Sequence, residues 1–148
     1  AYILQSAGEL ERSADAYERS IHLEPSAEAH TFYGWALSFM GRYDAAMDEC
    51  KRAIDVDPSF GNPYNDIGAY LIELGRLDDA IPWLEKATAA PRYCCYFYAH
   101  TNLARVYLHK GMRERARKAL LQALTVNPEY EPAQELLRRI DREGGYFA

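Results

Sequence analysis

At 148 residues, with 49% hydrophobic and 26% charged side chains, the chain has the make-up of a folded unit rather than a disordered one. It is long enough to bury one ordinary core. A formal net charge of −5 argues against nucleic acid as the main partner, and no apolar run approaches the roughly twenty residues that a membrane-spanning helix needs.

The N-terminal stretch AYILQSAGELERS has neither the basic nor the apolar region of a secretory signal. Without an initiator methionine it reads as the start of a processed or excised chain. Charge is unevenly distributed. Residues 1–91 hold 7 basic and 16 acidic side chains, net −9, whereas residues 92–148 hold 10 and 6, net +4. Such a gradient could steer a partner or favour head-to-tail association, and it is also what solvated helix faces produce by chance clustering.

In chain order, Ala1–Ser6 reads as the tail of a helix. From Glu9 to Leu23, Leu10, Ala14, Tyr17 and Ile21 fall at helical spacing, and Pro25 stops that helix. Residues 27–41 carry a second stripe, Tyr33, Ala36, Leu37 and Met40. Gly34 sits in mid-helix, where it costs about 1 kcal/mol relative to alanine unless a neighbour needs the room. The stretch Gly41–Pro58, GRYDAAMDECKRAIDVDP, is a turn, an amphipathic helix and a proline stop. Asn62–Leu74 and Leu77–Ala89 repeat the pair, with Pro82 expected in a first helical turn where its ring is tolerated. A third pair follows around His100–Tyr107 and Arg113–Val126. Glu131–Arg142 closes the chain as a last helix, ended by Gly144-Gly145.

One pattern recurs four times, at Gly8–Pro25, Gly41–Pro58, Gly75–Pro91 and Gly111–Pro128, with glycines 33, 34 and 36 residues apart. A period of this length marks an array of stacked supersecondary units. Within it the first-helix signature is Tyr64, Ile67, Gly68 and Leu71, then His100, Leu103, Ala104 and Tyr107. The second-helix signature is Ala46, Cys50 and Pro58, then Ala80 and Leu84, then Ala116, Leu120 and Pro128. These residues resemble the tetratricopeptide repeat (TPR) family, over nearly the whole chain. The resemblance implies an all-α fold, a right-handed superhelical solenoid of antiparallel helix pairs with a C-terminal capping helix. It divides as a partial repeat at 1–25, repeats at 27–58, 61–91 and 95–128, and the cap at 130–143. Arg138, standing where earlier units have Gly34, Gly68 and Ala104, admits no close neighbour and so marks the cap.

In that family the first helices line a concave groove. The resemblance therefore implies a peptide-binding face made by Thr31, Trp35 and Ser38, by Asn62, Asn65 and Ala69, and by Tyr98, Thr101, Asn102 and Arg105. Trp35, Asn65, Asn102 and Arg105 are expected to be exposed there, offering an aromatic anchor, amides and one guanidinium. Phe32, Phe39 and Ile72 either join the groove or pack against neighbouring hairpins; Asp66 falls on the same face. No lysine stands on these faces, which departs from the subclass that clamps the C-terminal carboxylate of chaperones.

Residues 91–98, Pro-Arg-Tyr-Cys-Cys-Tyr-Phe-Tyr, hold the two-residue insertion behind the longest glycine spacing. Tyr93, Tyr96 and Tyr98 read either as a self-association surface or aromatic shelf, or as an extra helical turn with half-packed rings. Three cysteines make no disulfide framework. Cys50 reads as a small core hydrophobe, and a reducing, cytoplasmic setting is the simplest account. Adjacent Cys94 and Cys95 could close on each other, while no Cys or His spacing fits a metal site. Nor is there a phosphate loop, a nucleophile elbow or a zinc-protease helix. The pairs Asp48-Glu49 and Asp78-Asp79 read as solvent-facing charge rather than an acid–base dyad.

The reading is thus a non-enzymatic scaffold with no cofactor. It would hold a peptide segment or helix of another protein, with no nucleic acid or membrane partner. The alternatives are a self-associating assembly module, with weak homo-oligomers, and the regulatory arm of a longer enzyme.

Overall fold

The computed structural model of the chain describes residues 2–145, with side chains described from Ser6 to Gly144. The described residues form eight helices: α1 (Tyr2–Leu23), α2 (Ala27–Phe39), α3 (Tyr43–Val56), α4 (Asn62–Glu73), α5 (Leu77–Ala89), α6 (Tyr96–His109), α7 (Arg113–Val126) and α8 (Glu131–Gly145). The turns after α2, α4 and α6 are copies of one another. Gly41, Gly75 and Gly111 take left-handed φ values of 77°, 75° and 74°, where a Cβ would be strained. Two residues' hydrogen bonds close each turn. In the wider of them, the Arg42, Arg76 and Met112 amides donate to the Leu37, Leu71 and Tyr107 carbonyls at 3.0, 2.9 and 2.8 Å.

Gly8 does not make this turn. Helix formers on both sides let α1 run straight through it, so the first of the four sequence copies is a continuous helix and not a turn plus helix. Ser26 caps α2, its hydroxyl accepting from the Ala29 amide at 3.0 Å, a contact worth about 1 kcal/mol.

Each helix packs on the next. In addition α2 touches α4 and α4 touches α6, while α3, α5 and α7 make no comparable contact among themselves. The first helices of successive pairs therefore lie side by side along one face, and the second helices splay on the other. Small residues set the spacing. Ala46, Ala53, Ala80, Ala104 and Ala116 are fully buried. A Cβ on Gly34 would sit 2.9 Å from the Ala46 carbonyl oxygen, and one on Gly68 would run into the Leu84 side chain. Close approach of the partner helix is thus what Gly34 allows.

Two expectations for the second helices are corrected. Glu49 is buried rather than solvent-facing. Its carboxylate lies 2.8 Å from His30 Nδ1 and pairs with Arg52, which supplies the partners a buried charge requires. Pro82 falls in the second turn of α5, inside the helix rather than at its free start. It survives there on the exposed side, where water can take the carbonyl its ring leaves unpaired. At the far end α8 buries Ala133 and Ile140 and turns Arg138 outward, paired to Glu135 at 2.9 Å.

The insertion after α5 is not an extra helical turn. It is an extended loop that pairs with residues 59–61: the Gly61 amide donates to the Arg92 carbonyl and the Arg92 amide to the Ser59 carbonyl, both at 3.0 Å. Arg92 then reaches Asp57 and Glu28 and covers the Phe60 ring at 4.3 Å. Tyr93 is 9% exposed, packed edge-on against Tyr96, whose hydroxyl donates to the Ala90 carbonyl. The Tyr93 ring is therefore internal, which takes it off any self-association surface, whereas Tyr96 is half-buried and Tyr98 is 44% exposed. Cys94 and Cys95 are joined as a vicinal disulfide, the closure that their adjacency allowed. Cys50 is a free, buried thiol pushed up from its ordinary pKa mainly by burial.

Candidate peptide-binding groove

The face formed by α2, α4 and α6 carries unusually exposed aromatics. Phe32, Trp35 and Phe39 are 51%, 47% and 60% exposed on one side of α2. They are ordered by one another: Trp35 meets Phe39 edge-on at 4.5 Å, and Phe32 stacks on Tyr17 of α1 at 5.8 Å. Opposite them stands α4. Two clefts open between the helices, of about 290 Å3 and 330 Å3, and both are lined by Trp35 and Asp66. The first adds Tyr17, Thr31, Phe32 and Asn62. The second adds Ser38, Phe39, Tyr43, Ala69, Tyr70 and Glu73. Each is near the small end of ligand pockets, a size suited to a side chain rather than a cofactor.

The charged groups lining the two clefts are carboxylates, Asp66 and Glu73. Asp66 is half-buried, and burial raises its carboxyl to about 7, an effect the Asn65 side chain partly offsets by hydrogen bonding. Below it the Tyr70 hydroxyl is buried without a hydrogen bond of ordinary geometry, although Ser38 lies near enough to interact. A larger cleft of about 400 Å3 lies on the opposite side, between α3 and α5. Its charges are largely committed: Arg76 to Asp79, Asp78 to Lys110, and Lys86 over the Trp83 ring.

Further along the same face the amides are committed to each other. Asn65 and Asn102 are each 8% exposed, Asn102 Nδ2 donates to Asn65 Oδ1 at 3.0 Å, and Arg105 donates to Asn102 Oδ1 at 3.1 Å. This ladder ties α4 to α6 and presents Arg105 to solvent beside Tyr130, which feels its charge. Tyr98 packs with Phe97 and Tyr130 at 4.5 and 5.5 Å, forming a second aromatic group at that end.

Comparison with known proteins bears on this arrangement. Tetratricopeptide repeat models match residues 27–60 and 71–140. The chain belongs to the tetratricopeptide repeat family. A small glutamine-rich tetratricopeptide repeat-containing protein of Mycosarcoma maydis is 32% identical over 83 residues, which are 55% of this chain and 23% of that protein. The chain thus spans about a quarter of the length of that curated relative.

Among solved structures, a Pseudomonas aeruginosa protein, pilF, superposes with a TM-score of 0.86 at 20% identity, over 97% of this chain and 65% of that one. MamA gives 0.76 at 20% identity, over 95% and 82%. The first TPR domain of Spaghetti (RPAP3), solved with an HSP90 peptide, gives 0.72 at 22% identity, over 80% and 93%. At these identities the likeness shows the fold.

Within the TPR frame, the residues expected in the groove separate into two groups. Trp35, Ser38, Asn62 and Ala69 line the clefts, and Tyr98 and Arg105 are exposed further along. Thr31, at the edge of the first cleft, and Thr101 are buried, with hydroxyls donating back to Ala27 and Phe97 of their own helices at 2.7 Å, so neither offers a free donor. Asn65 and Asn102 are likewise inside the wall instead of exposed on it. Asp66, expected on this face, stands in both clefts, and Tyr17 of α1, which was not expected there, lines the first. Tyr17 reads from the sequence as a member of its own helix's apolar stripe, which hid this second position. Among the described residues no three His, Cys, Asp or Glu side chains converge to hold a metal, and no helix is long and apolar enough to cross a membrane.

Proposed function

We propose that the chain is a non-enzymatic interaction module that holds an extended segment of another protein along the α2–α4–α6 face. The observation that carries this reading is the row Phe32, Trp35 and Phe39, three large rings left half in water together on one side of one helix. Contiguous apolar surface of this kind marks interaction sites, and aromatic anchors beside small clefts supply most of an interface's energy. The peptide complex of the RPAP3 neighbour supports the reading, because the same fold there accommodates a peptide. Affinity would come from aromatic burial, with Arg105 and the carboxylates setting polarity.

The test is a random peptide library displayed on phage, panned against the wild-type chain and against the Trp35→Ala/Phe39→Ala variant. Enriched peptides should lose binding to the variant while its helical circular dichroism is unchanged. Equal capture by both proteins would overturn the groove assignment.

A further inference from the structure

We propose that the α2–α4 end of the groove recognises a lysine or arginine side chain of the bound segment, with the Asp66 carboxylate as its ionic partner and Trp35 and Phe32 as its walls. This rests on the groove reading above and names what that groove selects.

Four observations point the same way. Asp66 and Trp35 are the residues shared by both clefts, so a side chain entering either one meets a carboxylate and an indole together. The charged groups of the lining are negative, and among the described residues no lysine or arginine forms an ion pair with Asp66. A half-buried carboxylate without a cation is an incomplete arrangement, and an incoming ammonium or guanidinium completes it with a charge-assisted hydrogen bond. Trp35 and Phe32, each about half exposed, line the first cleft together with Asp66, and aromatic rings attract cations through their quadrupole. Burial holds Asp66 partly protonated near neutral pH, and a bound cation would favour its ionised form.

The groove is polar along its length as well. Its α6 end offers Arg105, so a segment with a basic residue followed by an acidic one matches it in one direction. An anionic tail in the α2–α4 cleft would meet two carboxylates and no cation. A basic segment is therefore the occupant that charge complementarity selects.

The experiment sequences the peptides enriched on wild type, synthesises the leading one, and measures it by calorimetry. It is compared with a version in which the basic residue is norleucine, each against wild type and Asp66→Asn. Lysine or arginine should recur at one position. The Asp66→Asn change should weaken the basic peptide roughly ten- to a hundred-fold and leave the norleucine peptide unchanged. Equal binding of the basic peptide to wild type and Asp66→Asn overturns the inference. So does enrichment of acidic or uncharged peptides that the Trp35→Ala/Phe39→Ala variant no longer holds, which leaves the groove reading intact. Peptides indifferent to Trp35 and Phe39, or none enriched at all, overturn both. A concentration-dependent dimer in ultracentrifugation that Asp66→Asn abolishes would identify a second copy as the occupant and also overturn the inference.

Discussion

The Arg92 guanidinium donates to the Asp57 carboxylate at 2.6 Å, joining two loops 35 residues apart. The same side chain reaches Glu28 at 2.8 Å, so one residue of the insertion ties together the start of α2, the end of α3 and the loop before α6. The side-chain hydrogen bond from Ser59, followed by that from Arg92, lowers the Asp57 carboxyl to about 2.

That depressed value fixes a direction. A carboxylate lower in the folded than in the unfolded chain contributes stability above its unfolded value near 3.8, and the contribution is lost as pH falls towards about 2. Arg92→Ala should therefore lower the Tm by a few degrees at neutral pH. The deficit should shrink in high salt, because both partners reach solvent, and below pH 3, where Asp57 begins to take up its proton. Differential scanning calorimetry across pH checks this, and a constant deficit at every pH would contradict it.

Asp66 has the opposite sign. Its carboxyl is raised from 3.8 to about 7, so the unfolded chain releases the proton first and stability falls as pH rises between these values. The titratable groups that feel it are Cys50, Tyr70 and Tyr93, all themselves raised mainly by burial. Asp66→Asn should be close to neutral in Tm below pH 4 and stabilising at pH 8. Thermal melts of both proteins at the two pH values decide it. A residue that costs stability where it stands is consistent with retention for binding.

Gly68→Leu tests the packing of the repeats. Since even a Cβ there meets Leu84, overpacking should cost about 1–3 kcal/mol, with a Tm loss of roughly 2–4 °C per kcal/mol at this chain length. An unaltered melt would show that α4 and α5 are not held at this distance.

Tyr93→Ala and Tyr98→Ala should behave differently although the residues are five apart. Removing the buried Tyr93 ring should cost about 3–5 kcal/mol, as large aromatic truncations in cores do. Tyr98→Ala should change stability little, its ring being nearly half in water. Urea melts of the two variants provide the comparison.

The fold was legible because its cause is periodic. Glycines at Gly41, Gly75 and Gly111 and small residues such as Ala46 and Ala80 are demanded by backbone geometry and helix spacing, and only a few residue types meet those demands. Gly8 misled because a lone glycine is also tolerated inside a helix, as it is in α1. The groove was legible as a face but not residue by residue. Helical spacing places Asn65, Asn102, Thr31 and Thr101 on it, yet cannot show that the two amides bond to each other or that the hydroxyls bond to their own helices. Nor does periodicity extend to residues 91–95, where pairing with residues 59–61 is a non-local matter.

The position of Tyr17 has a consequence for how the cleft behaves. One wall of the α2–α4 cleft is borrowed from α1, which is docked through its contact with α2. An occupant gripping Tyr17 and Asp66 together would therefore span α1 and α4 and clamp the helix packed between them, so that filling this cleft braces two neighbouring helix pairs against each other.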